Sequence, residues 1–297
     1  MKRREMLAGV AAVFGVWAVE AERVRAVESP GPKPLNPQLM KIPMSDGAAI
    51  SLEVAGHGPS LVLVHGAAGT RKSWARVIPL LQPRFQIFAM DRRGRGDSSD
   101  GSSFSLAREA EDVAQVADKL PGEVFVVGHS YGAIATFEAL RLTSKIQRCV
   151  LYEPPLPVAG GMGGSSPDLV CAAVAAGDNE RAMLTFFKDY VHLPAPMIEG
   201  FRADPSWPDR VKLAPTVCRE VKAVSTYAFE PLRFAKIATP TLFLLGGASP
   251  QAMATSVRAG AAALPHSQVH ILPDQQHDAM YTAPDMLAAA IADFLLA

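Results

Sequence analysis

Short apolar runs recur along the chain, and each ends at a polar residue, a glycine or a proline. Such runs are typical of strands that are covered on both faces of a sheet. They occupy residues 60–64, 85–90, 123–127, 149–152, 241–245 and 269–272. Two alternating stretches, 40–44 and 49–54, precede them, and Asp46-Gly47 between the two predicts a hairpin. The pattern therefore predicts eight strands, the first two of which pair antiparallel.

Segments with helical periodicity separate these runs. They cover about 71–82, 105–119, 131–143, 251–263 and 284–296. Because strands and helices alternate, we expect a doubly wound, mostly parallel eight-stranded sheet of the α/β class. The long interval from Pro154 to Thr239 contains helical pieces and many prolines but no clear strand. We interpret it as a helical cap, at about 156–238, that is inserted after strand 6.

The first residues have the layout of an export signal. A basic cluster that includes Arg3-Arg4 precedes an apolar run from Met6 to Val19. This pattern predicts a twin-arginine-type signal peptide at 1–26 and a flexible leader at 27–39, before a folded domain at 40–297. The apolar run is shorter than the ~20 residues of a spanning helix, so we expect no stable membrane association after the signal is removed. The protein would be periplasmic or secreted, and cytoplasmic if the leader is not a functional signal.

Composition gives no support for a nucleic-acid or metal partner, so we expect a small-molecule substrate. The 29 basic and 29 acidic residues give a formal net charge of zero, and no basic stripe supports a nucleic-acid partner. Cys149, Cys171 and Cys218 are widely spaced and odd in number, so we expect small apolar fillers rather than disulfides or a zinc site. His266 and His270 have no evident third metal ligand. The sequence indicates no metal and no cofactor, and it leaves the oligomeric state open.

A tight turn at 128–132 carries the candidate nucleophile. The sequence Gly-His-Ser-Tyr-Gly follows a predicted strand and opens a predicted helix. Such a turn exposes the serine hydroxyl, and its flanking glycines remove side chains that would collide. We therefore predict Ser130 as nucleophile, with the N–H of Tyr131 at the helix start to stabilise an oxyanion. The alternative is an ordinary strand–helix turn with a capping serine.

With three further stretches, this turn resembles the α/β-hydrolase superfamily over about residues 40–297. The segment His-Gly-Ala-Ala-Gly at 65–69 is similar to the family's oxyanion loop, in which Ala67 would supply the second N–H. The segment 91–98 is similar to a turn that many members carry after the next strand. The segment 272–277 is similar to the late loop with the catalytic histidine, which would be His277. The resemblance implies the α/β-hydrolase fold and a triad in the order serine, acid, histidine.

The acid departs from the common pattern of that family. Most members place an aspartate after the seventh strand, but residues 246–250 read Gly-Gly-Ala-Ser-Pro. Glu153 ends the sixth strand, where some members carry the acid, so we predict that it orients His277. The alternatives are that Glu153 caps the strand or pairs with an arginine, and that no acid operates. Asp274 and Asp278 lie too close in sequence to His277 to orient it easily.

Six other histidines compete with His277, and their positions decide among them. We expect His65 and His129 to shape the oxyanion loop and the nucleophile turn, His266 and His270 to be structural, and His57 and His192 to lie at the surface.

A serine nucleophile argues against haloalkane dehalogenases and epoxide hydrolases, which use aspartate at this position. It predicts hydrolysis of a small, apolar carboxylic ester or lactone through an acyl-enzyme. Carbon–carbon bond hydrolysis, haloperoxidase-type activity and non-catalytic ligand binding are the alternatives. We expect the large apolar residues of the cap mainly to pack its helices, with a few lining an apolar pocket. They are Phe186, Phe187, Tyr190, Met197, Phe201 and Trp207.

Overall fold

A computed structural model describes residues 38–159 and 167–297, and eight strands within them form one sheet. Their order across the sheet is β1-β2-β4-β3-β5-β6-β7-β8, with antiparallel pairing of β1–β2 and β2–β4 and parallel pairing elsewhere. This confirms the predicted doubly wound, mostly parallel sheet. The strands are β1 (Gln38–Pro43), β2 (Ala49–Gly56), β3 (Ser60–Val64), β4 (Gln86–Met90), β5 (Val124–His129), β6 (Ile146–Tyr152), β7 (Thr241–Gly246) and β8 (Ser267–Leu272).

Helices connect the strands and cover the sheet. A 3-10 helix at Arg71–Trp74, a π-helix at Phe186–Tyr190 and a 3-10 helix at Pro231–Phe234 accompany the α-helices. The α-helices of the described residues are α1 (Ile78–Leu81), α2 (Leu106–Lys119), α3 (Tyr131–Ala139), α4 (Pro167–Ala175), α5 (Asn179–Thr185), α6 (Ala195–Ala203), α7 (Trp207–Val211), α8 (Ala214–Thr226), α9 (Gln251–Ala262), α10 (Ala279–Thr282) and α11 (Pro284–Leu295).

The core lies on both faces of the central strands. Every residue of β3 is buried, and because successive side chains of a strand point to opposite faces, its residues divide between two apolar clusters. Val62 and Val64 belong to a cluster with residues of α2, α3 and α9, whereas Leu61 and Leu63 belong to one with residues of α1 and α11. The centre of the sheet is therefore covered on both faces, and the carboxyl ends of β3, β5 and β6 there carry the candidate site.

The predicted hairpin is confirmed at the amino end of the described chain. β1 and β2 pair from Pro43 opposite Ala49, and Gly47 in the turn has a φ of +86°, a conformation that glycine adopts without strain.

Two elements differ from the sequence prediction. Residues 71–82, predicted as one helix, form a 3-10 helix and the separate α1, because Pro79 has no N–H to donate to the preceding turn. β8, predicted to be covered on both faces, leaves Val269 40% and Ile271 49% exposed. It is the last strand of the sheet, so it has one neighbouring strand and incomplete cover from the helices.

Helices α4 to α8 and the π-helix lie between β6 and β7, in the interval interpreted from the sequence as the cap. They pack on each other through an apolar cluster that includes Phe186, Phe187 and Trp207, with Tyr190 and Phe201 packed against it. Met197 is partly buried. These positions agree with the expectation that the large apolar residues mainly pack the cap.

The prediction that all three cysteines are small apolar fillers is wrong for two of them. Cys171 of α4 and Cys218 of α8 form a disulfide across 47 residues of sequence, whereas Cys149 is free and buried in β6. Sequence spacing did not indicate the bond because packing of α4 against α8, not proximity in sequence, brings the two sulfur atoms together.

The predicted signal peptide at 1–26 and the leader up to residue 37 lie outside the described residues. Within the described ranges, none of the helices has the length and apolar character needed to cross a membrane.

Candidate active site

Ser130 lies in a strained turn between β5 and α3. Its backbone has φ 54° and ψ −123°, a region that non-glycine residues seldom occupy and that costs of the order of 1–3 kcal/mol. The N–H of Ser130 donates to the carbonyl of Tyr152 at 2.9 Å, which ties the turn to β6. A Cβ on Gly132 would lie 2.3 Å from the carbonyl oxygen of His65, and one on Gly128 would lie 2.6 Å from the hydroxyl oxygen of Thr136. The flanking glycines are therefore required by space, as the sequence predicted.

Glu153 and His277 meet at the end of β6. Nδ1 of His277 lies 2.7 Å from Oε2 of Glu153, so the protonated Nδ1 donates to the carboxylate and leaves Nε2 free to accept a proton. The Glu153 side chain is fully buried, and its hydrogen-bond partners in the described residues include no arginine. The geometry thus favours the role of an orienting acid over the alternative of an arginine partner.

The segment after β7 holds Glu153 instead of supplying an acid of its own. The backbone N–H of Gly246 donates to Oε1 of Glu153 at 2.8 Å, and the hydroxyl of Ser249 donates to the same oxygen at 2.6 Å. Each carboxylate oxygen therefore has a partner, which is what a buried charge requires. Ser249 is a residue to which the sequence pattern assigned no role.

Two side chains fix the loop that carries His277. The hydroxyl of Tyr152 donates to the carbonyl of Gln276 and accepts from the N–H of Ala279 at 3.2 Å. Nε2 of His129 lies 2.9 Å from the carbonyl oxygen of His277 and donates to it. Burial and the nearby His277 lower the pKa of His129 well below its usual value, so His129 is neutral and acts as a structural donor.

The electrostatic environment sets the protonation of His277. Burial lowers the pKa of His277, but the hydrogen bond and charge of Glu153 together with the charge of Asp278 outweigh it, and the pKa lies above its usual value. Burial also raises the pKa of Asp278, against the opposing charge of His277. Glu153 therefore stabilises the imidazolium form of His277, the state that a general base reaches when it accepts a proton.

Residues 65–69 form a loop over Ser130, beside the carboxyl end of β3. Nδ1 of His65 donates to the carbonyl of Gly66 at 2.8 Å, while its Nε2 accepts from the N–H of Arg92 at 3.2 Å. Burial and the charge of Arg92 lower the pKa of His65, so it is neutral. A Cβ on Gly66 would lie 2.9 Å from Cβ of Ser130, and this close approach brings the backbone of the loop next to the candidate nucleophile.

A buried ion network lies next to this loop. Arg92 donates to both carboxylate oxygens of Glu109 at 2.9 and 3.0 Å and also to Glu220 of α8. Arg95 pairs with Glu109 at 3.2 Å and with Glu220 at 2.5 Å. The guanidinium of Arg92 lies 4.8 Å from the centre of the Tyr131 ring. The two arginines and two glutamates thus neutralise each other between the cap and the sheet, and Arg92 contacts Tyr131, the residue that follows Ser130.

Two cavities meet at Ser130 and His277. The larger has a volume of about 170 Å³ and is lined mainly by apolar residues, including Phe186 of the π-helix and Met253 of α9. The smaller has a volume of about 50 Å³ and includes Arg210 of α7 in its wall. Ala67 also lines both cavities. The structure therefore brings all five predicted site residues together, since Tyr131 and Glu153 line the larger cavity.

Of the four remaining histidines, one lines a cavity at Ser130 and three do not. His57, His266 and His270 are exposed, so the structural role predicted for the last two is wrong; His270 lies on the edge strand β8, and His266 directly precedes that strand. His192 is exposed, as predicted, but also lines the larger cavity. No group of three or more histidine, cysteine, aspartate or glutamate side chains in the described part of the chain is arranged to hold a metal ion.

The chain belongs to the alpha/beta hydrolase family, whose model matches residues 61–290. A solved alpha/beta hydrolase from Sphaerobacter thermophilus DSM 20745 is 33% identical, with a TM-score of 0.77 over 86% of this chain and 100% of that one. The pimeloyl-(acyl-carrier protein) methyl ester esterase of Nitrosomonas europaea is 37% identical over 105 residues, 35% of this chain and 40% of that protein. The probable oxidoreductase EphD of Mycobacterium tuberculosis (strain ATCC 25618 / H37Rv) is 40% identical over 103 residues, 32% of this chain and 17% of that protein. The match thus spans less than half the length of these two curated relatives.

Sequence reasoning missed Ser249, Tyr152, Glu220 and Arg210 as contributors to the site. Ser249 and Tyr152 had a detectable signal, since each lies at the carboxyl end of an apolar run, where sites of open α/β sheets occur. The two cap residues had none, because their contacts span more than 100 residues of sequence.

Proposed function

We propose that this protein is a serine hydrolase that cleaves a small, apolar carboxylic ester or lactone through Ser130, His277 and Glu153. One observation carries the proposal. The buried carboxylate of Glu153 holds Nδ1 of His277 at 2.7 Å, and His277 and Ser130 line the same cavity. A buried carboxylate that fixes the tautomer of an imidazole beside a strained serine is the arrangement that activates a hydroxyl nucleophile.

Acylation begins when the hydroxyl oxygen of Ser130 attacks the substrate carbonyl carbon and Nε2 of His277 takes the hydroxyl proton. Glu153 stabilises the imidazolium that forms. The carbonyl oxygen becomes an oxyanion, to which the N–H groups of Ala67 and Tyr131 donate. His277 then gives its proton to the departing alkoxide, and the acyl group stays on Ser130 as an ester.

Deacylation repeats these steps with water as the nucleophile. His277 removes a proton from water as the water oxygen attacks the acyl carbon, and the same two N–H groups hold the second oxyanion. Collapse of the intermediate releases the carboxylic acid and returns the proton to Ser130. For a lactone the alcohol remains attached to the acyl chain, so one hydroxy acid is released.

The cavities support a small substrate. Pockets for drug-sized ligands have volumes of about 300–1,000 Å³, whereas those beside Ser130 measure about 170 and 50 Å³. Apolar side chains such as Val221 and Met253 form most of the larger wall. The methyl ester esterase among the relatives is consistent with an ester substrate.

The first test is hydrolysis of p-nitrophenyl esters of increasing acyl length, with lactones assayed in parallel. We expect wild-type turnover with short apolar acyl groups, a loss of about 10⁴ or more in kcat for Ser130→Ala, and a large loss for Glu153→Gln. Asp274→Asn is the matched control, because Asp274 is an exposed carboxylate near His277 in sequence. Equal turnover of long polar and short apolar esters would contradict the substrate class, and full activity of Glu153→Gln would contradict the assigned acid.

Labelling by a fluorophosphonate probe separates the alternative functions. A labelled Ser130 without ester or lactone turnover would favour carbon–carbon bond hydrolysis or haloperoxidase-type activity. Absence of both labelling and turnover would favour a ligand-binding protein and overturn the proposal.

We also propose that the protein acts outside the cytoplasm. The disulfide between Cys171 and Cys218 supports this location, since such bonds persist in oxidising compartments, and the basic-apolar pattern of residues 1–26 is typical of export. Fractionation of a bacterial host that expresses the full chain, beside a variant with Arg3 and Arg4 replaced by Lys, would test it. Retention of the wild-type chain in the cytoplasm would contradict export.

A further inference from the structure

Two arginines, one of them from the cap, donate to the carbonyl groups of the residues that flank Ala67 in the loop at 65–69. The carbonyl of Gly66 accepts from Nη2 of Arg92 at 3.0 Å, and the carbonyl of Ala68 accepts from Nη1 of Arg210 at 3.1 Å. Arg210 belongs to α7 of the cap, and its guanidinium lies 4.6 Å from the centre of the Phe201 ring. The carbonyl in the same peptide group as the Ala67 N–H, and the carbonyl of the following residue Ala68, therefore each accept from a charged donor.

The donor on the Gly66 side is itself fixed by the cap. The same Nη2 of Arg92 that donates to Gly66 also donates to Glu220 of α8, and Arg95 shares that carboxylate. Glu220 is 1% exposed. It belongs to the same helix as Cys218, so the disulfide to α4 anchors the helix that carries this contact. Displacement of α8 would thus free Arg92 from one of its two anionic partners.

The loop needs such support because its backbone is strained. Ala68 has a φ of +55°, which L-residues rarely adopt and which persists where surrounding contacts impose it. Its side chain is buried in the apolar cluster of the cap, together with residues such as Val217 and Trp207. Three kinds of contact from the cap therefore converge on the loop: a hydrogen bond, a bridged ion pair and apolar packing.

We propose that the cap positions the oxyanion loop, with Glu220 and Arg210 as positioning residues that hold the Ala67 N–H in place. Glu220 acts through Arg92 on the Gly66 carbonyl, and Arg210 acts on the Ala68 carbonyl. This inference rests on the function proposed above. It assigns to the cap a part in transition-state stabilisation in addition to shaping the substrate cavity. Each side chain lines one of the two cavities, but in the described residues neither hydrogen-bonds to Ser130 or His277, and we assign the effect of both to the Gly66 and Ala68 carbonyl groups.

The test compares Arg210→Met, Arg210→Lys and wild type on the best p-nitrophenyl ester. Met keeps an unbranched apolar side chain beside Phe201 but lacks the donor, whereas Lys retains a charged donor. We expect Arg210→Met to lower kcat about tenfold or more with little change in KM, because loss of one oxyanion donor costs about 10²–10³ and misplacement costs part of that. Arg210→Lys should recover part of the loss. Arg202→Met is the control, since Arg202 is an exposed arginine of the same cap that pairs with Glu199.

Two inhibitors distinguish a positioning role from a purely structural one, because a purely structural defect would weaken both inhibitors alike. Phenylboronic acid forms an anionic tetrahedral adduct on a serine, and the p-nitroanilide of the substrate acid resembles the ground state. We expect Arg210→Met to weaken the boronic acid by the same factor as kcat and to change anilide inhibition less than about twofold. Glu220→Gln, once a thermal melt shows that it is folded, should likewise bind the boronic acid more weakly while anilide inhibition changes little.

The outcomes distinguish this inference from the proposed function. An inactive, unlabelled wild type would overturn both. An active wild type for which Arg210→Met changes KM and both inhibitors equally, or changes nothing, would overturn the positioning role alone and leave the hydrolase proposal intact.

Discussion

The Glu153 carboxylate is held by three donors from two segments of the chain. His277 contacts Oε2, while the Gly246 N–H and the Ser249 hydroxyl contact Oε1. Its own backbone has a φ of +46°, so the residue turns out of β6 in a strained conformation to reach this position. A buried ion of this kind is rigid because each oxygen would lose a hydrogen bond if it moved.

The pH dependence of activity follows from the raised pKa of His277. Ser130 is activated only by neutral His277, so kcat/KM rises as pH increases through the pKa of the free enzyme. We expect the midpoint of this acid limb above the usual value of about 6.5. In Glu153→Gln the raising partner is lost while burial remains, so the midpoint should move to lower pH. Asp278→Asn, which removes a weaker influence, should shift it less, and an unchanged midpoint in Glu153→Gln would contradict the assignment.

Ser249 should affect the rate through Glu153. Ser249→Ala removes one of the two hydrogen bonds to Oε1, and we expect kcat to fall by about threefold to tenfold, since a bond to a charged group contributes about 1.5–3 kcal/mol, only part of which is expressed in the transition state. Ser249→Thr keeps the hydroxyl and serves as the control. The measurement is kcat on a short p-nitrophenyl ester, and equal rates for Ala, Thr and wild type would show that Gly246 alone suffices.

At the scale of elements, the junction of β5 and α3 depends on close backbone contact with β3. Gly132 at the start of α3 lies against the carbonyl groups of Val64 and His65, and no Cβ fits between them. This contact brings the helix start and the loop at 65–69 together beside Ser130. The space that glycine leaves is therefore part of the site's geometry.

Gly132→Ala should destabilise the protein as well as inactivate it. A Cβ 2.3 Å from a carbonyl oxygen forces the backbone apart, and we expect a loss of about 1–3 kcal/mol in the free energy of unfolding. Gly200→Ala is the matched control. Gly200 lies within α6, and a Cβ added there would meet nothing within 4 Å, so alanine should stabilise by up to ~1 kcal/mol through helix propensity. Urea unfolding of both variants checks the two signs.

At the scale of the whole molecule, ion pairs join the cap to residues that follow the sheet strand β4, and a disulfide joins two helices within the cap. Glu220 joins α8 to Arg92 and Arg95 beneath it, while the disulfide joins α8 to α4. These contacts therefore anchor the cap next to the turn that carries Ser130.

The oxidation state of the cysteines is directly measurable. The native protein should show no reactive thiol, because Cys149 is buried. Denaturation without reductant should expose one thiol, and denaturation with reductant three. Titration with a thiol reagent decides the matter, and three thiols in the denatured, unreduced protein would contradict the disulfide.

Loss of the disulfide should lower stability. We expect replacement of both Cys171 and Cys218 by Ala to reduce the free energy of unfolding by about 2–4 kcal/mol, mainly because the unfolded chain is less restricted. Reductant should lower the wild type to a similar value and leave the double variant unchanged. A further loss on adding reductant to the double variant would show an effect unrelated to this bond.

The sequence by itself determined the sheet, the order of its elements and the positions of Ser130, Glu153 and His277. Buried parallel strands and amphipathic helices have local periodicities, and residues that follow such strands meet at one edge of the sheet. Only the tertiary structure showed that Ser249 donates to Glu153, that Cys171 and Cys218 form a disulfide, and that the cap donates a hydrogen bond to the loop around Ala67. Those contacts join segments that are far apart in the chain. A local sequence pattern cannot predict them, because the distance between such segments depends on how the whole chain packs.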